Sequence, residues 1–425
     1  MAREGARRRD GPGLTMEAEA VAQDRIFVPD LAGVDRSRRR GEPEWLAALR
    51  REARDRFRKL GFPSAKLEEW RTTNVGPILS TPWIPELHSS AAVRGGGPGV
   101  RVLRLAEAIA EEPQLLERTL GRAAGPDDAA FPALNLALAE DVLCVLIAPG
   151  AAVPAPIEIA FETPASSEPP VSYPRCLVVA ADRSEATVIE RHEGTGAYFR
   201  NAVTEIALGE GSVLRHYKLE QESLEAFHLQ TIAVRMARAS HFTSVHVAFG
   251  GALARTDIRA DLEGEGSECA LDGLFVGAGS QHLDTHTTIV HAAPHTMSRE
   301  VYKGVLDGRA RGVFHGRIVV RPGAQKTDAM QTNKNLLLSR DALVDSTPAL
   351  EIFADDVKCK HGSTIGQLDA EALFYLRSRG VGEREARALL TRAFAADVTG
   401  RIAVPEYRAE IERTLDRSLS PEEFT

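Results

Sequence analysis

From about residue 142 to about residue 361 the chain never holds a 3.6-residue apolar period for long. Short apolar or alternating runs follow one another instead, among them 157–161, 176–180, 203–208, 232–236, 242–249, 258–262 and 313–320. Glycine turns separate them, at Gly209 and Gly211, Gly250 and Gly251, Gly264 and Gly266, and Gly277 and Gly279. Period-two alternation with Gly-rich punctuation is the signature of β-strands. More than 200 such residues would need unusually many strands in one two-sheet sandwich. A coil of short stacked strands, a parallel β-helix, fits better, although no strict hexapeptide or nonapeptide repeat is visible.

The flanks read differently. Trp45, Leu49, Ala53, Phe57 and Leu60 recur at helical spacing ahead of Gly61 and Pro63, which mark a helix stop. Residues 103–139 mix short helical patterns with breaks expected at Gly125-Pro126 and Phe131-Pro132. Past Asp369, a natural N-cap, three helices are expected. The second carries an apolar stripe of Ala386, Leu389, Leu390, Ala393 and Phe394, and the third opens on Pro405. The expected organisation is a disordered basic tail over 1–40, a helical region over 41–140, a parallel β-helix over 141–365 and a helical module over 366–425. Met16 could be the true start.

Composition narrows the function classes. Asp plus Glu is 60 against 52 Lys plus Arg, a net charge of -8, which argues against a nucleic-acid partner. Apolar runs fall far short of the roughly 20 residues that span a bilayer. Cys144, Cys176, Cys269 and Cys359 are widely spaced and make no disulfide framework, which suits a reducing cytoplasm. The Arg-rich start has no apolar segment of a secretory signal. There is no Walker-A loop, no H-E-x-x-H and no G-x-S-x-G, and the G-x-G pairs read as turns, so no catalytic residue is assigned and an enzyme is not expected.

Two histidine groups invite metal chemistry. His282, His286, His291 and His295 lie four and five apart in a stretch read as strand and turn. Residues four apart on a strand are about 13 Å from each other, too far to share an ion, so these read as polar positions on a β face or in turns. The run from Asp355 to His361 is sharper. Alternation puts Asp355, Val357, Cys359 and His361 on one face and Asp356, Lys358 and Lys360 on the other. A thiolate and an imidazole then project together, about 7 Å apart at Cα. Both suit iron and other transition metals, and the flanking lysines favour the thiolate. Two ligands do not complete a site; a buried Cys beside a hydrogen-bonded His is the plainer alternative.

Three stretches carry a family resemblance: Val320-Arg-Pro-Gly-Ala-Gln-Lys326-Thr-Asp-Ala-Met-Gln331-Thr-Asn-Lys-Asn335, then Pro348-Ala-Leu-Glu-Ile-Phe-Ala-Asp355-Asp356-Val-Lys-Cys359-Lys-His361-Gly, then Gln367-Leu-Asp-Ala-Glu-Ala-Leu-Phe-Tyr-Leu-Arg-Ser-Arg-Gly380. The sequence resembles the SufB/SufD family of iron–sulfur cluster assembly proteins. The form of the Cys359 motif is that of the SufD branch, and Lys66–Thr73 with Trp70-Arg71 resembles that branch's N-terminal motif.

The resemblance implies a right-handed parallel β-helix with helical flanks. It implies a non-catalytic scaffold subunit that pairs with a SufB-type subunit and binds a SufC-type ATPase through its C-terminal helices. Sulfur would come from a cysteine desulfurase, and a transient iron–sulfur cluster would form at the subunit interface. The family's interface histidine falls on His361 and its neighbouring cysteine on Cys359. Reduced flavin is associated with such complexes, with no residue here to place it, and a homodimer is an option where no SufB-type partner is present. Two rival readings are a SufB-type paralogue and a β-helix polysaccharide lyase or hydrolase using Asp355 and Asp356.

Overall fold

Each turn of the chain lays one strand into each of two facing sheets, and the strands between the two ends pair in parallel with their counterparts one turn earlier and one turn later. In the computed structural model, which describes residues 42–86, 91–124 and 129–419, this gives a β-solenoid of about eight turns. The expected tail over 1–40, the alternative start at Met16 and the Gly125-Pro126 break lie outside the described residues. One sheet runs through strands Phe199–Leu208, Phe227–Met236, Leu253–Leu262, His282–His291, Arg311–Val320 and Leu343–Ile352. The other runs through Glu185–Gly194, Val213–Gln221, His241–Ala248, Glu268–Gly277, Met297–Leu306, Asp328–Leu337 and Lys358–Gly366. Residues paired across neighbouring turns range from Phe227↔Leu253 to Arg311↔Leu343, a spacing that drifts and so leaves no strict sequence repeat.

Stacked turns lie about 4.8 Å apart, so a side chain meets the equivalent position of the next turn almost directly. Bulk must therefore be complemented along each inward row. Tyr302 is paired with Gly273, and Phe275 with Gly304. A Cβ on Gly273 would lie 2.0 Å from the Tyr302 ring, and one on Gly304 2.3 Å from Phe275.

The N-terminal part packs on the outer face of the first sheet. The helices there are α1 (Glu44–Leu60), α2 (Gly76–Ser80), α3 (Leu105–Glu111), α4 (Pro113–Thr119) and α5 (Ala130–Leu138). Helix α1 ends as expected at Gly61, whose φ of 64° suits glycine. Phe131-Pro132 is not a break; it sits in the first turn of α5, where a proline costs no hydrogen bond. Strands Ala91–Gly95 and Val100–Arg104 pair antiparallel onto the two sheets and cover the start of the solenoid. Glu205 ties this part down, accepting the amides of Gly121, Ala123 and Ala124 and the Arg175 guanidinium.

Helices α6 (Ala370–Ser378), α7 (Glu383–Thr399) and α8 (Pro405–Ser418) follow the last turn. Asp369 caps α6 by accepting the amides of Glu371 and Ala372. Helices α7 and α8 cover the outer face of the second sheet: Ala395, Val398, Tyr407, Ile411 and Leu415 pack with Ile189, Tyr217, Leu219, Val245 and Leu274. The buried face of α7 is Ala386, Thr391, Ala395, Val398 and Thr399. The expected stripe is therefore corrected. Leu389 and Ala393 are exposed, because the sheet lies under a face that includes threonines.

Two predictions follow from the inward rows. Gly273→Ala forces a methyl into the Tyr302 ring and should cost at least about 3 kcal/mol, read as a lowered urea midpoint. Glu300 is buried, and burial pushes its carboxyl up to about 7 despite the hydrogen bond it accepts from Gln331. The folded chain keeps a proton there that the unfolded chain has released, so stability falls as the pH rises from about 4.5 to about 7. Glu300→Gln should remove that slope and raise stability at about pH 8 by on the order of 3 kcal/mol. An unchanged slope between about pH 5 and pH 8 would refute the assignment.

Candidate functional site

The last turn of the solenoid ends both sheets. Among the described residues, strand Leu343–Ile352 pairs only with Arg311–Val320, and strand Lys358–Gly366 only with Asp328–Leu337. Their outer edges carry unpaired backbone groups, an arrangement that invites strand addition. Leu343, Ile352, Phe353 and Ile365 are exposed there, Ile365 by 52%.

Register fixes which residues face inward. Cys359, His361, Ser363 and Ile365 pair with Ala329, Gln331, Asn333 and Asn335, all buried. Cys359 and His361 thus share a face, and they form the last rung of the interior rows, at the open mouth of the coil. Cys359 is half-buried and packs beside Val357 on the core, while His361 is exposed. Burial pushes the Cys359 thiol up; a backbone hydrogen bond from Ala329 opposes this, and the charge of Asp328 adds to it. The expected lysine activation of the thiolate is therefore corrected: desolvation dominates the shift, and Lys358 and Lys360 alternate to the opposite strand face. Asp355 and Asp356 lie in a bend before the strand rather than on opposite strand faces, and Asp356 pairs with Lys326. Behind His361, Ser346 bonds Ser363 and Asn333, and Gln331 bonds Glu300, so the interior leading to the mouth is polar.

The other cysteines are core groups. Cys144, Cys176 and Cys269 are buried, and burial pushes all three thiols up, Cys144 to about 12. The four spaced histidines separate. His282 meets Thr73 Oγ1 at 2.8 Å, His291 bonds Thr296 and Ser298, and His295 sits in a turn. His286 Nε2 lies 3.0 Å from Asp284 Oδ1, and its ring faces none of the other three but His315, its register partner one turn on, with ring centres 4.9 Å apart.

Trp70 connects the N-terminal part to the first sheet. It packs 5.4 Å from the Phe131 ring with the Arg255 guanidinium stacked 3.8 Å over its face. Arg71 is exposed, and Thr73 makes the polar link to the sheet, donating to Asp284 at 2.6 Å.

The sequence reading missed a charged cluster deep in the solenoid. Glu190, His192, Arg200, His216, Lys218, Glu220, Glu222, His228 and His246 are all buried. Glu222 accepts from Arg200 at 2.7 Å and from Tyr198; Lys218 donates to Glu220 at 2.8 Å and Thr256 at 2.7 Å. Burial opposes ionisation of Glu222, but the Arg200 charge and His228 outweigh it and hold the carboxyl at about 2. Burial lowers His192 and His246 to about 4, despite the Glu190 and Glu220 carboxylates beside them. Ligand atoms of His192, Glu222 and His228 lie within 4.8 Å of one another. The signal was the turn period: His192 pairs with Glu220, and Arg200 with His228.

Among the described residues, no helix is long and apolar enough to cross a membrane. Residues 162–394 match the family described as SUF system FeS cluster assembly, SufBD core domain, and residues 89–159 match the SufBD protein N-terminal region. An iron–sulfur cluster assembly SufBD family protein of Synechocystis is 29% identical over 412 residues, covering 88% of this chain and 91% of the relative. The iron–sulfur cluster assembly protein SufD of Escherichia coli is 37% identical over 221 residues, 52% of each chain. A SufBD family protein of Mycobacterium leprae is 29% identical over 366 residues, 84% of this chain and 91% of the relative.

Trp70→Ala removes the ring between Phe131 and Arg255 and should lower stability by on the order of 3 kcal/mol. A melting curve that does not move would show that Trp70 carries no packing role.

Proposed function

Because the chain belongs to the SufBD family of the SUF iron–sulfur cluster assembly system, we propose that it is a non-catalytic, SufD-type scaffold subunit. Its last turn docks a SufB-type partner, and a nascent cluster is built at that junction. The observation that carries this reading is the open end of the solenoid, with two unpaired strand edges, exposed apolar side chains, and Cys359 and His361 at the mouth. A paralogous solenoid can continue both sheets there, satisfying the edge amides and carbonyls.

The cluster is cargo, so its ligands must hold and then release it. The exposed imidazole of His361 offers a lone pair to iron. Cys359 is the weaker ligand, since its thiol must first lose a proton that burial retains. Neither completes a coordination sphere, and the partner would supply the remaining thiolates. Relative movement of the two subunits would open such a shared site.

The ATPase subunit is assigned to the C-terminal helices. Helix α6 buries none of its residues, and Phe374 is 73% exposed, with Tyr375 and Leu389 exposed nearby. Aromatic side chains in such positions are typical anchors of an interface. Sulfur supply by a desulfurase follows from the same reading, as does a cytoplasmic location. No feature of the described residues favours a flavin, and none is proposed.

Two experiments test this. His361→Ala should leave the complex assembled but reduce iron and acid-labile sulfide per complex several-fold; equal iron and equal cluster absorbance would remove His361 from the ligand set. For ATPase docking, deleting α6 to α8 is a poor test, because α7 and α8 cover the second sheet. Phe374→Asp with Tyr375→Ala should instead abolish ATPase co-purification while the SufB-type subunit still co-purifies. Retention of the ATPase by that folded variant would overturn the docking assignment.

A further inference from the structure

The interior cluster stands apart from the open mouth and is not used by the reading above. His192 lies near the end of strand Glu185–Gly194, Glu222 just past Val213–Gln221, and His228 at the start of Phe227–Met236. The three therefore meet at one lateral edge of the coil, under the turns, and all are buried.

Their hydrogen bonding is that of ligands held by an outer layer. His192 Nε2 is 2.6 Å from Glu190 Oε1, and His228 Nε2 is 3.2 Å from Gln230 Oε1. With each Nε2 proton on that acceptor, each Nδ1 turns its lone pair into the cluster; Arg200 Nη1 stands 3.5 Å from His192 Nδ1, and Lys218 Nζ 3.5 Å from His228 Nε2. Gln230 is held in turn, its amide donating to Glu190 at 2.6 Å. Carboxylate or amide acceptors behind a ring N–H are what orient metal-binding imidazoles. His228 Nδ1 lies 2.7 Å from Glu222 Oε1, yet it is buried with no hydrogen bond in line. The contact is at ion-pair distance rather than an aligned hydrogen bond, so a cation can replace the His228 proton between the two atoms.

Charge points the same way. The cluster holds three carboxylates, Glu190, Glu220 and Glu222, against two fixed cations, Arg200 and Lys218. One negative charge is left for an imidazolium or an ion to balance.

We propose that His192, Glu222 and His228 form a resident divalent-metal site inside the solenoid, taking a first-row ion such as Fe(II) or Zn(II) through two imidazole nitrogens and one carboxylate oxygen. Two histidines and one carboxylate suit those ions and leave open coordination positions. Arg200 competes for the site: its Nη1 is 2.7 Å from Glu222 Oε1 and 3.5 Å from His192 Nδ1. Its Nη2 is tethered to Thr163 Oγ1 and the Glu193 carbonyl, and Glu86 lies within reach of its charge. The guanidinium can therefore yield Glu222 to an ion and keep other partners.

The test uses the purified full chain alone, titrated anaerobically with Co(II) as the probe. Binding of one ion per chain is expected, with ligand-field absorption of a nitrogen and oxygen set and no thiolate charge-transfer band. Cys359→Ser with His361→Ala should bind equally, which separates this site from the mouth. Glu222→Gln and His228→Gln should each weaken binding at least several-fold, and Arg200→Met should tighten it. No Co(II) or Zn(II) bound by the wild-type chain would overturn the proposal and leave Arg200 as the resident cation, even if Arg200→Met bound the ion. A thiolate band, or binding lost with Cys359 and His361, would overturn it as well.

Discussion

Parallel stacking in register is the constraint on which the rest of this molecule depends. It places each side chain against the same position of the turn before and the turn after, at about 4.8 Å. An ordinary core can tolerate a large residue by shifting its neighbours; a stacked row cannot, because its neighbours are locked by ladder hydrogen bonds on both sides. The rows therefore alternate in size, as in the Gly273–Tyr302 and Phe275–Gly304 pairs. The same rule governs polarity. A buried charge needs partners within its own or adjacent turns, and the Glu190, Glu220 and Glu222 carboxylates find them in histidines, Lys218 and Arg200 from their own and neighbouring strands.

The same pairing has no natural end. The start of the coil is closed by antiparallel strands, which reverse direction and so stop propagation. The outer sheet faces are covered by helices, α5 and its neighbours on one side, α7 and α8 on the other. Among the described residues, only the last turn keeps the geometry that would accept another. Glu300 shows what an interior position costs when its row offers no cation: its carboxyl rises to about 7 and one oxygen is left without a partner.

Much of this was legible in the sequence. Alternation and glycine turns gave the β-solenoid, Gly61, Asp369 and Pro405 marked helix boundaries, and the motif around Cys359 and His361 identified the family and the mouth residues. What could not be read is what the turn period controls. His192 and Glu220, or His286 and His315, are neighbours only across a turn, and turn lengths vary enough to hide the register. The helical stripe of α7 failed for a related reason. Helical spacing finds an apolar face, but the sheet beneath decided that Thr391 and Thr399 would be buried and Leu389 exposed. The thiol of Cys359 was misread because lysines adjacent in sequence point away from it on a strand, whereas Ala329 and Asp328 come from the neighbouring turn.

Position along the coil also separates the two chemical features of the interior. The cluster around Glu222 is closed by turns on both sides, so anything held there is held by this chain alone. The mouth around His361 is closed on one side only, so the cluster site proposed there would need a second surface to complete it. One row of stacked positions can thus run from an enclosed, charge-compensated interior to an open rung. Between His216 of the cluster and His361 lie Ser244, Leu271, Glu300 and Gln331, one apolar and the others polar but uncharged or reluctant to ionise. That stretch carries no fixed charge to attract a metal ion toward the interior from the mouth, or to draw one outward.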